Sequence, residues 1–443
     1  MTRPSLVWLR QDLRLDDQPA IAAAADGGPF VALYVLDDET PGEWAIGGAQ
    51  RWWLHHSLAA LGGDLERRGG ALVLRRGPAA KIVGQVADEM GASAIHATRH
   101  YESWWRAAEA ALGDRLELHE GDTLVPLDEL RSGAGKPYRI YGPFHRALSA
   151  HSVAEPVPAP ARLAAPERRP ASDQLQDWGL RPTCPDWAKG FSVWGPGEAG
   201  ALAHLERFAA EAADYARRRD LPSEVGTSNL SAHLHFGEIS PRRVWHTLTS
   251  EDSAKFRKEL AWRDFARSAI LADPEIGNRD QRARRVAARE GRSADSDFRA
   301  WTRGRTGYPI VDAGMRQLWS TGWMHNRVRM IAASFLVKHL LIDWRRGAIW
   351  FWDTLVDADY GNNSLNWQWI AGTGIDSQPW QRMMAPLVQS RKFGAADYIR
   401  RWVPELTELD DEAIHEPNGV RNYPEPLIGH RAARERALSR AGS

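Results

Sequence analysis

The first third of the chain alternates two hydrophobic patterns. Short apolar runs, Ser5–Leu9, Phe30–Leu36, Ala71–Leu74, Ala94–Ala97 and Leu116–Leu118, read as strands. Between them lie alanine-rich stretches that read as helices: Ala20–Ala25, residues 51–67, Ala79–Met90 and Ser103–Leu112. Strand and helix in alternation predict an open, parallel, Rossmann-like α/β sheet. No Gly-x-Gly-x-x-Gly turn follows the first run, which counts against a dehydrogenase cofactor in this domain. Across residues 131–196 periodicity lapses and Pro156, Pro158, Pro160, Pro166, Pro170, Pro182, Pro185 and Pro196 punctuate the chain, as in a long connection. From Gly197 onward helical periodicity returns and strand signals nearly vanish. Ala201–Arg219, Pro241–Leu248, Lys255–Leu271, Pro309–Ser320, Met324–Leu341 and Ala348–Leu355 all read as helices. The expected organisation is an α/β domain over residues 1–130, a linker over 131–196 and an all-helical domain over 197–443.

A length of 443 residues fits that division, being too long for one compact core. No stretch reaches the roughly 18 to 20 apolar residues needed to span a bilayer, and the N-terminus lacks a secretory pattern. With Cys184 the single cysteine, neither an intrachain disulfide nor a cysteine-based metal site can form. These features predict a cytoplasmic protein with no membrane partner. The net charge is zero, but it is unevenly spread: residues 1–150 hold 16 basic and 20 acidic side chains, and the rest 41 and 37. Arg279, Arg282, Arg284, Arg285, Arg289 and Arg292 crowd one segment. Such a run can bind phosphates, and it can equally be a solvated face. Tryptophan is over-used, with 21 against 11 Phe and 9 Tyr. Packing, stacking surfaces and stepping stones for electrons all use the indole, and composition does not choose among them.

Several motifs carry candidate chemistry. In Gly226-Thr-Ser-Asn-Leu-Ser231, small hydroxyl residues precede a helical run; this suits a plain helix cap and equally a phosphate at a helix start. Glu259, Trp262 and Arg263 are spaced i, i+3, i+4 and share a helix face. In Trp323-Met-His-Asn-Arg-Val-Arg-Met330, Asn326 and Met330 are i, i+4 neighbours; an amide can read a base edge, a thioether can pack on a ring, and arginine can hold phosphate. Asp357 and Asp359, in Asp357-Ala-Asp-Tyr-Gly-Asn-Asn363, have no carboxylate or histidine cluster nearby to complete a metal shell. His233 and His235 likewise lack further zinc ligands and read as structural. No metal is expected.

Together these segments carry a resemblance. GTSNLSAHLHFGEIS, ELAWRDF, RTGYPIVDAGMRQLWSTGWMHNRVRMIAASFLVKHLLIDWR, DADYGNNSLNWQWIAGTG and YIRRWVPEL, with VWLRQDLRLDD at the start and YPEPLIGHRAARERAL near the end, resemble the photolyase/cryptochrome family, in its bacterial class I branch acting on cyclobutane pyrimidine dimers. The likeness covers almost the whole chain, in order. It implies an antenna-type α/β domain and a helical catalytic domain holding FAD, fully reduced in the active form. Tyr215, Thr227, Ser228, Leu230 and Ser231 would cradle its phosphates and sugars; Arg263, Trp323, Arg329, Asp357, Asp359 and Asn363 would surround the rest, with Arg329 paired to Asp357. Glu259, Trp262, Asn326, Arg327, Met330 and Trp369 would meet the flipped-out lesion. Ultraviolet-damaged DNA is the implied partner, a monomer acting at the bacterial nucleoid the implied state, and light-driven electron transfer the implied reaction.

Within the family, (6-4) enzymes place histidines where Asn326 and Met330 stand, and plant-type cryptochromes carry aspartate at the position of Asn363. Both departures favour dimer repair over (6-4) repair or light reception. Trp367 and Trp344 match the inner and middle members of the family's electron-relaying tryptophans. The outer one should fall near Gly291, where there is none; Trp350, Trp352 and Trp319 are substitutes, and Trp301 matches a different site. Trp104 and Trp105 replace the Asn-Glu of relatives whose antenna is folate. A folate held that way is therefore disfavoured, leaving a deazaflavin, another flavin or no antenna. His145 stands where the family usually has tryptophan.

Overall fold

The computed structural model describes residues 3–283, 288–375, 377 and 383–441, so Arg284 and Arg285 of the arginine-rich segment lie outside the described residues. The chain forms two compact units, Met1–Ala188 with Trp194–Ala212 and Ser228–Pro274, and Lys189–Val193 with Ala213–Thr227 and Glu275–Ser443. The units interleave in sequence: residues 197–212 and 228–274, read above as part of the helical domain, cluster with the α/β sheet.

The first unit is built on β1 (Ser5–Leu9), β2 (Phe30–Leu36), β3 (Leu72–Arg76), β4 (Ile95–Thr98) and β5 (Leu116–His119). The order is β3-β2-β1-β4-β5 and each neighbouring pair is parallel. Leu6, Val7, Trp8 and Leu9 of the central strand are all fully buried. That is why it reads as a continuous apolar run: helices cover both faces of a parallel sheet. The flanking helices are α1 (Pro19–Gly27), α2 (Gly48–Arg67), α3 (Ala79–Met90) and α4 (Ser103–Leu112). Helix α3 ends where its periodicity ends, at Gly91, whose left-handed φ of 60° lets its N–H close on the Ala87 carbonyl.

Strand order reverses between β1 and β4, the place where open α/β sheets commonly hold a nucleotide. Here Arg10, just past β1, fills it. Its guanidinium is buried, pairs with Glu109 at 2.6 Å, donates to the Thr98 carbonyl and lies 4.2 Å from the Trp8 ring centroid. The missing glycine fingerprint thus has a structural counterpart.

The same unit holds α5 (Tyr141–Leu148) and α6 (Glu198–Glu211). Helix α5 lies inside the stretch read as unstructured connection. Two turns with Phe144 and Leu148 as their buried residues are too short to announce a period. The short α7 (Tyr215–Arg218) belongs to the second unit; α8 (Ser231–His235), α9 (Pro241–Thr247) and α10 (Ala254–Ala272) return to the first. The helix expected over Ala201–Arg219 is broken into α6, a 3-10 turn at Ala212–Asp214, and α7.

The second unit adds α11 (Arg292–Thr302), α12 (Pro309–Thr321), α13 (Asn326–Ser334), α14 (Trp344–Thr354), α15 (Tyr360–Ala371), α16 (Pro386–Lys392), α17 (Ala396–Trp402) and α18 (His430–Ala441). The helix expected from Met324 starts two residues later, because the His325 ring accepts the Arg327 N–H and caps it. It then passes into a π turn at Phe335–His339. Helix α15, missed by periodicity, is opened by Asp359, whose carboxylate accepts from the Asn362 backbone at 2.8 Å. Among the described residues no helix is long and apolar enough to cross a membrane.

Burial pushes four imidazoles down from the ordinary 6.5: His100 to about 3, His204 to about 4, His325 to about 4 and His339 to about 3. Unfolded, each takes up a proton near 6.5; folded, it stays neutral until far lower pH. Their contribution is therefore complete above 6.5 and is lost as pH falls toward the folded values. Three carboxyls oppose them: burial raises Asp264 to about 7 and lifts Glu198 and Asp312 above their ordinary values, so these favour the folded state on acidification. The lowered imidazoles outnumber the raised carboxyls and lose their contribution just below 6.5, so the thermal midpoint should fall between about pH 7 and about pH 5. A midpoint that holds or rises on acidification would contradict this burial.

Candidate active site

In the second unit the site is organised from α13 and α15. Arg329 donates through Nη1 and Nη2 to the two Asp357 oxygens at 3.0 and 2.8 Å, and through Nε to the Met324 carbonyl at 2.7 Å. The expected pair is present, with the Asp357 side chain 3% exposed. Two-point contact by a planar guanidinium satisfies a carboxylate this buried. Trp323 lies beside Arg329, with 6.0 Å from guanidinium to ring centroid. Asp359 caps α15 and also takes the Asn362 side-chain N–H at 2.9 Å. Asn363 donates its amide N–H to the Ala348 carbonyl at 3.0 Å. That bond leaves the Asn363 amide oxygen, which cannot ionise, as an acceptor.

Trp367 stands one turn beyond Asn363, on the same side of α15. It is buried, 5.0 Å edge-on from Phe351 and 6.4 Å edge-on from Trp301. Gly347 of α14 lies against it; a Cβ there would overlap the indole. Trp344, at the start of α14, is fully buried and donates its indole N–H to Asp280 at 2.7 Å, with the Arg345 guanidinium 5.0 Å from its ring. Gly291, where an outer tryptophan was looked for, caps α11 with φ +89° and open space around a hypothetical Cβ. A tryptophan there would carry backbone strain. Of the substitutes, Trp319 and Trp350 stack at 6.0 Å and 10°, with Trp319 52% exposed, whereas Trp352 is buried. Trp301, set apart in the sequence, is the neighbour of Trp367 that sequence reasoning missed. It is fully buried, and its indole N–H donates to the Ala332 carbonyl at 3.0 Å.

Asn326 is exposed at the first turn of α13, and Met330 is half-buried one turn on. Arg327 is held by Asp220 at 2.7 Å and lies 4.6 Å from the Phe393 ring centroid. Trp369 is half-buried on α15, and Tyr215 is buried at the start of α7 with Arg219 over its ring at 5.8 Å. Thr227 is half-buried in the same unit. In the arginine-rich segment, Arg289 is tied to Asp297 at 2.9 Å and Arg282 to the Ser377 carbonyl at 3.3 Å, while Arg279 and Arg292 are exposed.

In the first unit the hydroxyl motif ends differently from a plain cap. Ser228 accepts the Leu230 N–H at 3.3 Å, closing a turn before the helix. Leu230 holds the N-cap position of α8 with no side-chain cap, and Ser231 is exposed at its first turn. His233 and His235 are occupied structurally, by Glu238 at 2.5 Å and Gln50 at 3.1 Å. On α10, Trp262 stacks flat on Tyr141, 4.0 Å and 5°. His145 joins that aromatic group, 5.5 Å from Tyr141. Glu259 pairs with Lys255 at 3.8 Å. Burial, with the charge of Glu259 added, raises the Tyr141 phenol above its ordinary value. Arg263 is buried and pairs with Asp122, also reaching the Leu234 carbonyl at 3.3 Å. Trp105 packs edge-on against Trp8 at 6.0 Å, in contact with the sheet's core.

An α/β sheet with a filled switch point, and helices bearing a buried Arg–Asp pair beside an indole-rich helix, match two family descriptions. "DNA photolyase" matches residues 5–161 and "FAD binding domain of DNA photolyase" matches residues 256–443. The chain is 46% identical to a deoxyribodipyrimidine photo-lyase of Agrobacterium fabrum, covering 99% of this chain and 97% of that protein. It is 33% identical to cryptochrome-1 of Arabidopsis thaliana, covering 98% of this chain and 69% of that protein. A solved bacterial class III photolyase from Agrobacterium tumefaciens superposes with a TM-score of 0.93 at 45% identity, covering 100% of this chain and 98% of that one. The chain belongs to the DNA photolyase family. These likenesses support the family and not the class I branch expected from the motifs.

The contact between α14 and α15 is open to test at Gly347. Alanine would gain up to about 1 kcal/mol of helix propensity, but overpacking costs about 1–3 kcal/mol. Gly347→Ala should therefore lower the urea midpoint of the flavin-loaded protein. A rise would show that Trp367 does not rest on Gly347.

Proposed function

We propose that this chain repairs cyclobutane pyrimidine dimers in ultraviolet-damaged DNA under light. The observation that carries the reading is the α15 constellation, in a chain aligned over 99% of its length with a deoxyribodipyrimidine photo-lyase. There Asp357 is satisfied by Arg329, Asn363 stands where signalling relatives hold aspartate, and Trp367 and Trp369 follow on the same helix. On branch, we take the class III description of the structure at 45% identity over the motif-based class I expectation.

The residues present fit FAD. Arg329 already compensates Asp357, so the carboxylate adds no uncompensated charge. Asn363 offers a neutral amide, and Leu230 starts a helix without a side-chain cap. Thr227, Ser228, Leu230, Ser231 and Tyr215 are assigned to its phosphates and sugars, and Arg263, Trp323, Arg329, Asp357, Asp359 and Asn363 to the rest. When bound in its fully reduced state, FAD would supply the light-driven one-electron donor chemistry. Protein groups bind, orient and exclude water. Glu259, Trp262, Asn326, Arg327, Met330 and Trp369 are assigned to the lesion. Flipping a dimer out costs a few kcal/mol, less than for an intact pair. Trp262, fixed by its stack on Tyr141, offers a rigid apolar wall. Glu259 and Asn326 offer complementary hydrogen-bonding groups. The protein acts as a monomer. Any antenna is assigned to the α/β unit, where Trp104 and Trp105 in place of Asn-Glu disfavour a folate held in that mode.

The decisive experiment illuminates flavin-loaded, reduced protein with dimer-containing DNA. Repair is expected; an intact dimer would overturn the reading in favour of light reception. Glu259→Ala and Asn326→Ala should keep FAD yet lose roughly tenfold or more in lesion affinity or repair yield, as a buried partner left unpaired costs about 1–3 kcal/mol. Repair at wild-type efficiency would remove either residue from the lesion site.

A separate role is assigned to Trp367 and Trp344, which would carry electrons inward to the flavin site from Trp350 and the exposed Trp319. The Asp280 carboxylate on the Trp344 N–H would stabilise positive charge on that ring. Trp344→Phe should lose photoreduction with an external donor yet repair normally after chemical reduction, and Trp319→Phe should slow photoreduction. Full photoreduction without Trp344 would show another route.

A further inference from the structure

We propose that His96, Glu117 and His119 form a zinc-binding site on the edge of the parallel sheet. The strand period sets the three side chains together. His96 of β4 is the register partner of Glu117 of β5, and His119 follows Glu117 by two residues, so all three project from one face. The intervening residues face the other way: Ile95 and Ala97 are in the core, and Leu116 and Leu118 pack against it. Nothing in the apolar pattern of LELH calls for polar residues on the remaining face except solvent, yet the ring nitrogens converge. His96 Nδ1 lies 3.1 Å from His119 Nε2 and 3.5 Å from the Glu117 carboxylate, and the three donor atoms fall within 4.8 Å of one another. Tetrahedral zinc with bonds of about 2.0–2.1 Å sets neighbouring donors about 3.3 Å apart, midway between those two separations. Among the described residues no other group of three such side chains reaches this spacing.

Two imidazoles and one carboxylate suit zinc better than magnesium or calcium, which take oxygen shells. Three protein ligands leave one position for water, and the site opens to solvent at Glu117, whose side chain is 59% exposed. Its effect is mechanical. β5 is an edge strand held to the sheet by β4 alone. A metal with one ligand on β4 and two on β5 would clamp that edge strand to its neighbour.

The test is equilibrium dialysis of the flavin-loaded protein against zinc chloride, followed by metal analysis. One zinc per chain is expected. His119→Asn should abolish binding. Glu117→Gln alters an exposed side chain and so tests the site without threatening the fold; it should weaken binding by at least the roughly tenfold that even an outer-shell partner is worth. Amide exchange across Leu116–His119 should slow when zinc is added to wild type and stay unchanged in Glu117→Gln. Wild type that retains no zinc, or Glu117→Gln that binds as wild type does, would overturn the proposal. In either case the His96–His119 contact is a hydrogen bond between neutral rings.

Discussion

The second unit is arranged around the need to satisfy the Asp357 carboxylate with its side chain only 3% exposed. Removing a buried carboxylate's partner costs about 3–5 kcal/mol, because the charge that remains has nowhere to go. Arg329 meets that need with two bonds and spends its third direction on the Met324 carbonyl. One guanidinium thereby ties the start of α13 to the turn before α15. The height of α15 follows, since Asp359, two residues past the pair, caps it. Asn363 and Trp367 are then placed by helix geometry alone, one turn apart. Gly347 permits the resulting approach of α14, because any side chain there would meet the indole.

The first unit solves the same problem twice, with opposite results, at neighbouring carboxyls. Burial would raise Asp122, but Arg263 and Arg267 overcome it and hold the carboxyl well below its ordinary range. Burial raises Asp264 to about 7 despite Arg263, and among the described residues only the Leu124 N–H, at 2.7 Å, is within hydrogen-bonding distance of its oxygens. One acid is a fixed charge and the other sits near its midpoint at neutral pH. The difference lies in how many arginine donors each receives, a matter of approach and not of depth.

What the sequence made legible follows from the range of each interaction. All five strands were readable, because each is set by a local apolar pattern. Helices α3 and α4 were readable to the residue for the same reason. Helix α15 was not: Gly361, Asn362, Asn363 and Ser364 open it, a composition that suggests a turn until the Asp359 cap is seen. Partners of the buried charges were invisible where chain separation is long. Arg263 and Asp122 lie 141 residues apart, and nothing in either segment names the other. Family likeness is what singled out Asp357 as the partner of Arg329. The proximity of Trp301 to Trp367, and of His96 to His119, belongs to tertiary packing and strand register, which no local pattern records.

Arg10 shows why function could not be read from the sheet. A doubly wound order of five parallel strands places its switch point between β1 and β4, and similar folds elsewhere bind nucleotides there. In this chain a buried cation occupies the point, matched by Glu109 and the Thr98 carbonyl and covered by Trp8. Emptying the crevice for a dinucleotide would strand Glu109, which is also buried. Displacement is therefore opposed by desolvation as well as by the lost ion pair. The fold keeps its topology and gives up its usual site. On the function proposed here, the nucleotide chemistry falls instead to the side chains around Arg329, where the Asp357 charge is compensated and Asn363 offers a neutral amide oxygen.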